Sequence, residues 1–221
     1  MEAYLKNICG FWLPDDEQHL IPFLEKGPNI HGGPTYQFHK LEPALKLTPS
    51  RGLAIDIGAH CGLWSRILQY EFAQVVAFEP VEAHRQCFLK NVTHDNVDLL
   101  PFALGDQTKD GVSLNTGASS SGDTGIVPNG ALGMHTANMR KLDHFELHGV
   151  DFIKIDCEGY EHFIVRGAER TIRKWKPTVI VEQKPGHAEK YGLRRMQAVD
   201  LLESWGAKLR FEKSGDYCLT W

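Results

Sequence analysis

Two acidic residues of this chain follow short apolar runs. At such positions a carboxylate could end a strand before a glycine turn or bind the sugar of a nucleoside. Asp56 opens the segment D-I-G-A-H-C-G at 56–62, and Glu79 follows the apolar run V-V-A-F. Glu79 comes 21 residues after Gly58, which is the spacing at which an acid holds a pair of ribose hydroxyls. This pattern indicates a site for an adenosine-containing cofactor at the carboxyl ends of parallel strands.

The glycine turn differs from the dinucleotide fingerprint at one position. The pattern G-x-G-x-x-G would require glycine at position 60, where this chain has His60. A pyrophosphate needs the close backbone approach that glycine permits, whereas a ligand without phosphates does not. The pattern D-x-G-x-x-x-G instead resembles the first motif of class I S-adenosylmethionine (SAM) methyltransferases.

A second acidic segment, D-F-I-K-I-D-C-E-G-Y-E, covers residues 151–161. Its strand pattern ends at Ile155, so Asp156 and Glu158 come at the carboxyl edge of the sheet, beside the expected cofactor. Lys154 shares a face with Asp156, and a lysine in an otherwise buried strand is uncommon unless it is paired. We expect an ion pair between Lys154 and a carboxylate at the strand ends; a structural role and a role in the site both stay open.

Composition limits the class of protein. The 221 residues suffice for one domain with a substantial core, and the net charge of −4 gives no nucleic-acid footprint. No stretch approaches the roughly 20 apolar residues of a membrane span, and the N-terminus lacks a signal-peptide pattern. The five cysteines are scattered without C-x-x-C spacing, which fits a reducing compartment. We therefore expect a cytoplasmic protein with no nucleic-acid partner and no membrane span.

Strand and helix patterns alternate from residue 52 onward, which predicts an α/β fold with a mostly parallel seven-stranded sheet and helices on both faces. The turn S-G-D at 214–216 predicts a C-terminal antiparallel hairpin. The predicted strands are 53–57, 74–78, 97–102, 151–155, 178–182, 207–211 and 216–221. The predicted helices are 36–47, 63–72, 82–91, 160–172 and 194–205.

Two regions stand outside this alternation. Residues 1–35 are rich in proline and glycine, and we predict an irregular N-terminal extension, a lid or substrate-side wall, ahead of a main domain at 36–221. The stretch 106–140 is polar and too long for a simple connection. It is predicted to be a substrate-side loop over the carboxyl edge of the sheet, with a disordered excursion as the alternative.

Six ordered segments resemble the motifs of the FkbM family of SAM-dependent methyltransferases. They are D-I-G-A at 56–59, F-E-P at 78–80, A-L-G-D at 103–106, N-T-G-A-S-S at 115–120, K-I-D-C-E-G-Y-E at 154–161 and V-E at 181–182. The match covers about residues 50–185, and the K-I-D-x-E-G-x-E segment is its most specific part. Position 60 is often Asn in the family and is His60 here, and residues 1–35 match nothing in it.

The resemblance implies a Rossmann-like class I methyltransferase fold for residues 36–221 and methyl transfer from SAM. The acceptor would commonly be a hydroxyl of a sugar, glycan or small metabolite. Glu79 would hold the ribose hydroxyls, and Leu104 and Asp106 would flank the adenine. The cofactor-binding residues that follow are Asp56, Gly58, Ala59, His60, Gly62, Glu79, Leu104, Asp106 and Asp156.

Four residues are candidates for a general base, because an alcohol acceptor must lose its proton during transfer. Asp156 and Glu158 are favoured, and His162 and His135 are the second choices, with a surface or packing histidine as the alternative for each. Together with Glu182, the two acids could hold Mg²⁺. We favour carboxylates that are hydrogen-bonded to the cofactor's amine and to backbone, so no metal ligand is predicted.

Other functions stay open from sequence alone. One is N-methylation of a nucleobase, nucleotide or protein, although the chain lacks the Asn/Asp-Pro-Pro-Tyr/Phe motif of enzymes that methylate nucleic-acid amino groups. Another is a SAM-binding protein without catalysis, and a remote one is a nicotinamide-dependent oxidoreductase. The expected partner is a small-molecule or glycan hydroxyl acceptor. Aromatic residues such as Phe11 could bury against the domain or a second copy, so monomer and homodimer both stay open.

Overall fold

The computed structural model describes residues 4–117, 120–128 and 131–221. Ala118 and Ser119 of the fourth family-like segment lie outside the described residues, as do the first three residues of the extension. The strands are β1 (Leu5–Ile8), β2 (Phe11–Pro14), β3 (Asn29–Ile30), β4 (Gly33–Pro34), β5 (Leu53–Ile57), β6 (Gln74–Phe78), β7 (Val97–Leu100), β8 (Phe102–Leu104), β9 (Lys109–Asn115), β10 (Gly125–Ile126), β11 (His135–Arg140), β12 (Val150–Ile155), β13 (Thr178–Glu182), β14 (Lys208–Lys213) and β15 (Asp216–Thr220). The α-helices are α1 (Ile21–Lys26), α2 (Phe38–Lys46), α3 (Ser65–Glu71), α4 (Glu82–Asn91), α5 (Glu161–Gly167), α6 (Glu169–Trp175) and α7 (Gln197–Ser204). In the described part of the chain, every helix is too short or too polar to cross a lipid bilayer.

A seven-stranded sheet forms the centre of the molecule, in the order β14-β15-β13-β12-β5-β6-β7. The strands from β13 to β7 are parallel, whereas β15 runs antiparallel to both β13 and β14. The predicted mostly parallel sheet with a C-terminal antiparallel hairpin is confirmed. Chain order reverses between β5 and β12, and ligands of open α/β sheets bind at such a switch point.

Both faces of the central strands β5, β12 and β13 are buried, as parallel strands require. Side chains alternate along β12, so Ile153 and Ile155 enter the apolar cluster that contains residues of α5, α6 and α7. Phe152 faces the opposite way, into the cluster with residues of α2 and α3. Helices therefore cover the sheet on both sides, as predicted.

Two predicted elements are each divided in the structure. The strand predicted at 97–102 breaks at Pro101, which has no N–H to continue a ladder, and β8 pairs instead with β11. The helix predicted at 160–172 becomes α5 and α6, because Ala168 has non-helical angles of φ −112° and ψ 8°. A Cβ on the preceding Gly167 would lie 1.9 Å from the carbonyl oxygen of Gly105, so this glycine lets the helix approach the loop after β8.

The stretch 106–140 is not the loop that was predicted. Strands β9, β10 and β11 join β8 in a second sheet, in the order β10-β9-β11-β8. Alternate positions of these strands, such as Val112 and Leu114, are buried in one apolar cluster with Ala137 and Met139. Polar residues fill the positions between them, which hid the strand pattern in the sequence.

The extension at 1–35 is not irregular over its described part. It forms the hairpin β1–β2, the helix α1 and the short hairpin β3–β4. Phe11 is buried and packs in an apolar cluster with Cys61 of the glycine turn. The side chain of Asn91 in α4 accepts from the Trp12 N–H at 2.7 Å and donates to the carbonyls of Trp12 and Cys61 at 2.8 and 2.7 Å. The extension is thus folded back onto the main domain.

Candidate active site

Two clefts meet at the carboxyl ends of β5 and β12. The walls of the apolar cleft include Ile57, Phe78, Phe102, Leu104, Leu114, Ile126 and Tyr160, with Glu79 and His84 as polar members. The walls of the polar cleft include Tyr36, Ala59, Trp64, Asp123, Lys154, Glu158, Glu182 and Lys184. Gly58, His60, Gly122 and Asp156 line both clefts. Gly122 belongs to the stretch 106–140, which therefore lies over the carboxyl edge as predicted.

Gly58 allows the ends of the two central strands to come together. Its φ is +74°, and a Cβ on it would lie 2.0 Å from the carbonyl oxygen of Asp156. Only glycine adopts this conformation without strain and leaves room for the neighbouring backbone. The junction between the clefts thus depends on the absence of one side chain.

Asp56 and Lys154 form a buried support beneath this turn. Asp56 is 0% exposed, its Oδ2 accepts from the Ser65 hydroxyl at 2.7 Å, and its Oδ1 lies 3.4 Å from the Lys154 Nζ. Lys154 also donates to the Gly58 carbonyl at 2.7 Å and lies 3.8 Å from Asp156 Oδ2. Burial alone would lower the pKa of Lys154, but the charges of Asp56 and Asp156 outweigh it and raise that pKa. Lys154 is a paired cation that holds the glycine turn and Asp156 in place.

Glu79 presents a carboxylate to the apolar cleft. Its Oε1 accepts from the Val81 N–H at 2.8 Å and lies 3.2 Å from His84 Nδ1, and its Oε2 accepts from the His60 N–H at 2.9 Å. Burial alone would raise the pKa of Glu79, but these hydrogen bonds and the nearby His84 outweigh it and lower the pKa. Glu79 is therefore an ionised acceptor with one lone pair on Oε2 still available.

His60 joins three separate parts of the chain. Its Nε2 lies 2.9 Å from the Ser121 hydroxyl, which in turn donates to Oε2 of Glu17 in the extension. Because that hydroxyl gives its only proton to Glu17, the tautomer assigned to His60 carries its proton on Nε2. Burial lowers the pKa of His60 well below its ordinary value, so the ring is neutral. Its Nδ1 is then a buried acceptor without a hydrogen-bond partner among the described residues.

Asp156 and Glu158 face the polar cleft with pKa values near neutrality. Burial, with a further contribution from the charge of Glu182, raises the pKa of Asp156 to about 7, and Lys154 limits the rise. Burial and the charges of Asp156 and Glu182 raise the pKa of Glu158 to about 8. Perturbed carboxyl groups in a cleft are the typical sign of groups that exchange protons in catalysis.

The pKa of Glu182 is shifted in the opposite direction, because cations surround this carboxylate. Burial alone would raise its pKa, but His187 and Lys184 outweigh that effect and lower it to about 2. Lys184 Nζ is in contact with Glu182 Oε1, whereas His187 Nδ1 lies 3.4 Å from Oε2. Glu182 is thus charged in the neutral range while Asp156 and Glu158 titrate within it.

A family model described as the methyltransferase FkbM domain matches residues 56–209, which is more than half of the 221 residues. The chain belongs to the FkbM methyltransferase family. No curated protein matches the chain.

The fold of this family member is similar to the folds of several solved structures. The methyltransferase FkbM from Methylobacillus flagellatus KT has a TM-score of 0.50 and 20% sequence identity, covering 76% of this chain and 43% of that one. The precorrin-6y C5,15-methyltransferase from Geobacter metallireducens GS-15 has a TM-score of 0.50 and 13% identity, covering 89% of this chain and 94% of that one. At such identities the likeness shows the fold alone, and this chain spans less than half the length of the first structure.

Four of the expected site residues of this FkbM family member are not among the described residues that line either cleft: Asp56, Gly62, Asp106 and His162. Asp56 lies beneath the turn instead. A Cβ on Gly62 would lie 2.7 Å from Val92, so this glycine lets the turn approach the residues that follow α4. Asp106 pairs with Arg166, with Arg166 Nη1 lying 3.2 Å from its Oδ2.

His162 is directed toward α7. Its Nδ1 lies 3.2 Å from the carbonyl oxygen of Gln197, and its ring is half-buried there. The first turn of α5 thus turns this imidazole away from Asp156, which argues against the catalytic role suggested by sequence.

Tyr160 and His187 are among the residues of the site that sequence reasoning missed. Tyr160 lines the apolar cleft, and His187 lies 3.2 Å from Glu158. His187 comes five residues after Glu182, at the carboxyl end of β13, where strand order alone could have placed it near Glu158. The remaining predicted residues, Ala59 and Leu104, line the polar and the apolar cleft respectively.

Proposed function

We propose that this protein transfers the methyl group of SAM to a hydroxyl group of a small molecule or glycan. The proposal rests mainly on the position and the pKa of Asp156. It is a half-buried carboxyl group at the junction of the two clefts, with a pKa of about 7. An acceptor that reacts through an alcohol oxygen needs such a base, since its proton must leave.

The residues present suit SAM as the cofactor. The aromatic and aliphatic walls of the apolar cleft match an adenine ring, and Glu79 offers an ionised acceptor to ribose hydroxyls. The unpartnered Nδ1 of His60, which lines both clefts, is a second buried acceptor for a hydroxyl or ammonium donor. When bound, SAM would supply a methyl group that its sulfonium already activates.

The protein's own part in the reaction is to hold the acceptor and remove its proton. Asp156 would take the proton of the acceptor hydroxyl, and Glu158 shares the same cleft as a second proton acceptor. Lys154 keeps the Asp156 carboxylate oriented through its contacts with Gly58 and Asp156. Correct orientation accounts for much of the rate in such transfers.

Two segments form the acceptor-side wall in this proposal. His19 and Leu20 of the extension line the polar cleft, and Ser120 and Asp123 line it from the stretch 106–140. We assign the choice of acceptor to these segments, in keeping with a substrate-side wall built from the extension.

The rate is expected to rise with pH. A base whose pKa is about 7 is protonated and inactive below that value and becomes active as the pH rises through it. The logarithm of kcat/KM should therefore increase by about one per pH unit below pH 7 and reach a plateau above about pH 8. A pH–rate profile checks this, and a rate that falls between pH 6 and 8 would contradict the assignment of Asp156.

Glu79→Gln is expected to weaken binding of the product S-adenosylhomocysteine (SAH) by about 10- to 100-fold. The amide keeps the shape of the side chain but loses the charge-assisted hydrogen bonds, which are worth about 1.5–3 kcal/mol. Isothermal titration calorimetry measures the effect. Glu82→Gln is the matched control, since Glu82 starts α4 three residues later and is exposed. Equal affinity in both variants would remove Glu79 from the cofactor site.

The proposal is tested by ligand binding and an acceptor panel. SAH at about 100 times its Kd should stabilise the protein by about 2.7 kcal/mol, a Tm rise of about 5–10 °C, whereas NAD⁺ should give none. Transfer of labelled methyl groups from SAM is then measured on sugars, glycans and hydroxylated metabolites, with amines and nucleotides for comparison. Labelling of amines alone would favour N-methylation, and SAH binding without labelling of any acceptor would favour the non-catalytic alternative.

A further inference from the structure

Three side chains converge on one point at the edge of the polar cleft. Nδ1 of His187 lies 3.2 Å from Oε2 of Glu158 and 3.4 Å from Oε2 of Glu182. One ligand atom from each of the three residues lies within 4.8 Å of the others. Ligands bound at about 2.0–2.2 Å around a tetrahedral ion are separated by about 3.3–3.6 Å. The separation of 3.4 Å falls in this range, and the separation of 3.2 Å lies just below it.

The atoms that face this point lie within ion-pair distance of one another but lack hydrogen bonds. Oε2 of Glu182 and Nδ1 of His187 are both buried, lie 3.4 Å apart and make no hydrogen bond within the described part of the chain. Glu182 is 2% exposed, so water does not replace the missing hydrogen bond at its surface. A buried carboxylate oxygen without a hydrogen bond is costly, and a cation between the three groups would remove the cost.

The ammonium groups of the neighbouring lysines do not fill the space between the three ligand atoms. Lys184 Nζ contacts Oε1 of Glu182, on the other oxygen of that carboxylate. Lys154 lies against Asp56, Asp156 and the Gly58 carbonyl. Neither ammonium group therefore occupies the place between the three ligand atoms.

We propose that Glu158, Glu182 and His187 bind a divalent transition-metal cation, Mn²⁺ or Zn²⁺, on the acceptor-side wall of the polar cleft. Carboxylate oxygens suit hard cations such as Mn²⁺, and an imidazole nitrogen suits Zn²⁺ and its neighbours better than Mg²⁺. The three protein ligands leave at least one coordination position open, as in catalytic rather than structural metal sites. The sequence suggested carboxylates alone; the structure adds His187.

The position of this site assigns the ion a role in binding the methyl acceptor. This role rests on the proposed function. Glu158 and Glu182 line the cleft that Asp156 also lines. A cation held there would bind an oxygen of the acceptor and lower the pKa of its hydroxyl. In that state Glu158 would act as a ligand, and Asp156 would remain as the proton acceptor. Acceptors with a second oxygen beside the reacting hydroxyl would then bind best.

The test is titration of the chelator-treated full chain with Mn²⁺, followed calorimetrically and by electron paramagnetic resonance, without SAM or acceptor. We expect one ion per chain, and His187→Ala and the bulkier His187→Leu should weaken binding at least about tenfold. His162→Ala is the matched control, because it removes another half-buried histidine that faces Gln197 instead. Co²⁺ absorption reports whether nitrogen is a ligand, and SAH-induced stabilisation reports that each variant is folded.

Two results would overturn the site. One is no binding of Mn²⁺, Co²⁺ or Zn²⁺ up to about 1 mM, the weak end of protein cation sites. The other is equal affinity in the His187 variants and the parent chain. Because the titration involves neither SAM nor acceptor, absence of methyl transfer would not affect it, and absence of the metal would leave the methyl-transfer proposal standing.

Discussion

Asp156→Asn is expected to reduce kcat by at least about 100-fold, because general-base catalysis contributes about 10² to 10⁴. The amide keeps the shape of the side chain at the junction of the clefts but cannot accept the hydroxyl proton. SAH affinity should change by less than about tenfold, since hydrogen bonds of the amide replace part of those of the acid. Steady-state kinetics with the acceptor identified by the panel, together with SAH titration, measures both quantities.

Asp123→Asn is the matched control for this prediction. Asp123 lines the same polar cleft, and the change of chemistry is the same. We expect its kcat to stay within about threefold of the parent value, because Asp123 lines only the polar cleft and a change there alters the KM for the acceptor more than the chemical step. Equal losses in the two variants would mean that the charge of the cleft matters and that Asp156 is not the base.

Glu158→Gln separates an enzyme from a SAM-binding protein without catalysis. Burial raises the pKa of Glu158 to about 8, so this group exchanges protons in the same range as Asp156. The variant should bind SAH and lose turnover. If turnover stays near the parent rate in both Glu158→Gln and Asp156→Asn, the assignment of this pair as the catalytic acids is wrong.

Gly58→Ala is expected to destabilise the protein by about 2–4 kcal/mol and to abolish SAH binding. A non-glycine residue at positive φ costs about 1 kcal/mol, and forcing atoms into a packed site costs about 1–3 kcal/mol more. The added Cβ would lie 2.0 Å from the Asp156 carbonyl oxygen, so β5 and β12 must separate at the ligand. Thermal unfolding should show a Tm lowered by roughly 5–15 °C.

Gly32→Ala isolates the collision from the backbone strain. Gly32 has the same φ of +74°, but a Cβ there meets no atom within 4 Å. We expect this control to cost about 1 kcal/mol and to leave SAH binding intact. A Gly58 variant that is no less stable than the Gly32 variant would contradict the packing at the strand junction.

The strands that carry the site could be predicted from the sequence because their patterns are local. The run before Asp56, the run before Glu79 and the run before Asp156 are each short, apolar and followed by an acid or glycine. Parallel strands buried on both faces need such runs, and their carboxyl ends meet at one edge. Fold class and the position of Asp156 at the carboxyl edge of the sheet therefore followed from sequence.

The small second sheet could not be predicted from the sequence, because the patterns of its strands are weak and their pairing is not local. Its buried positions are only a few residues such as Val112, Leu114 and Met139, separated by polar residues. Strands with one solvent-facing side carry a weaker pattern, and their pairing partner β8 follows a proline that ends β7. Contact between segments that are distant in sequence fixes this sheet.

What the sequence alone determined is the set of strand ends and the acids on them; what only the tertiary structure decided is which side chain faces the ligand. Asp56 and Gly62 stand in the correct motif, yet one supports the turn from below and the other contacts Val92 after α4. His162 and His187 are equally plausible in sequence, but the rotation of α5 turns the first toward Gln197 while the turn after β13 brings the second to Glu158. Spacing along a chain fixes the distance between neighbours, whereas the direction of a side chain depends on what packs against its element.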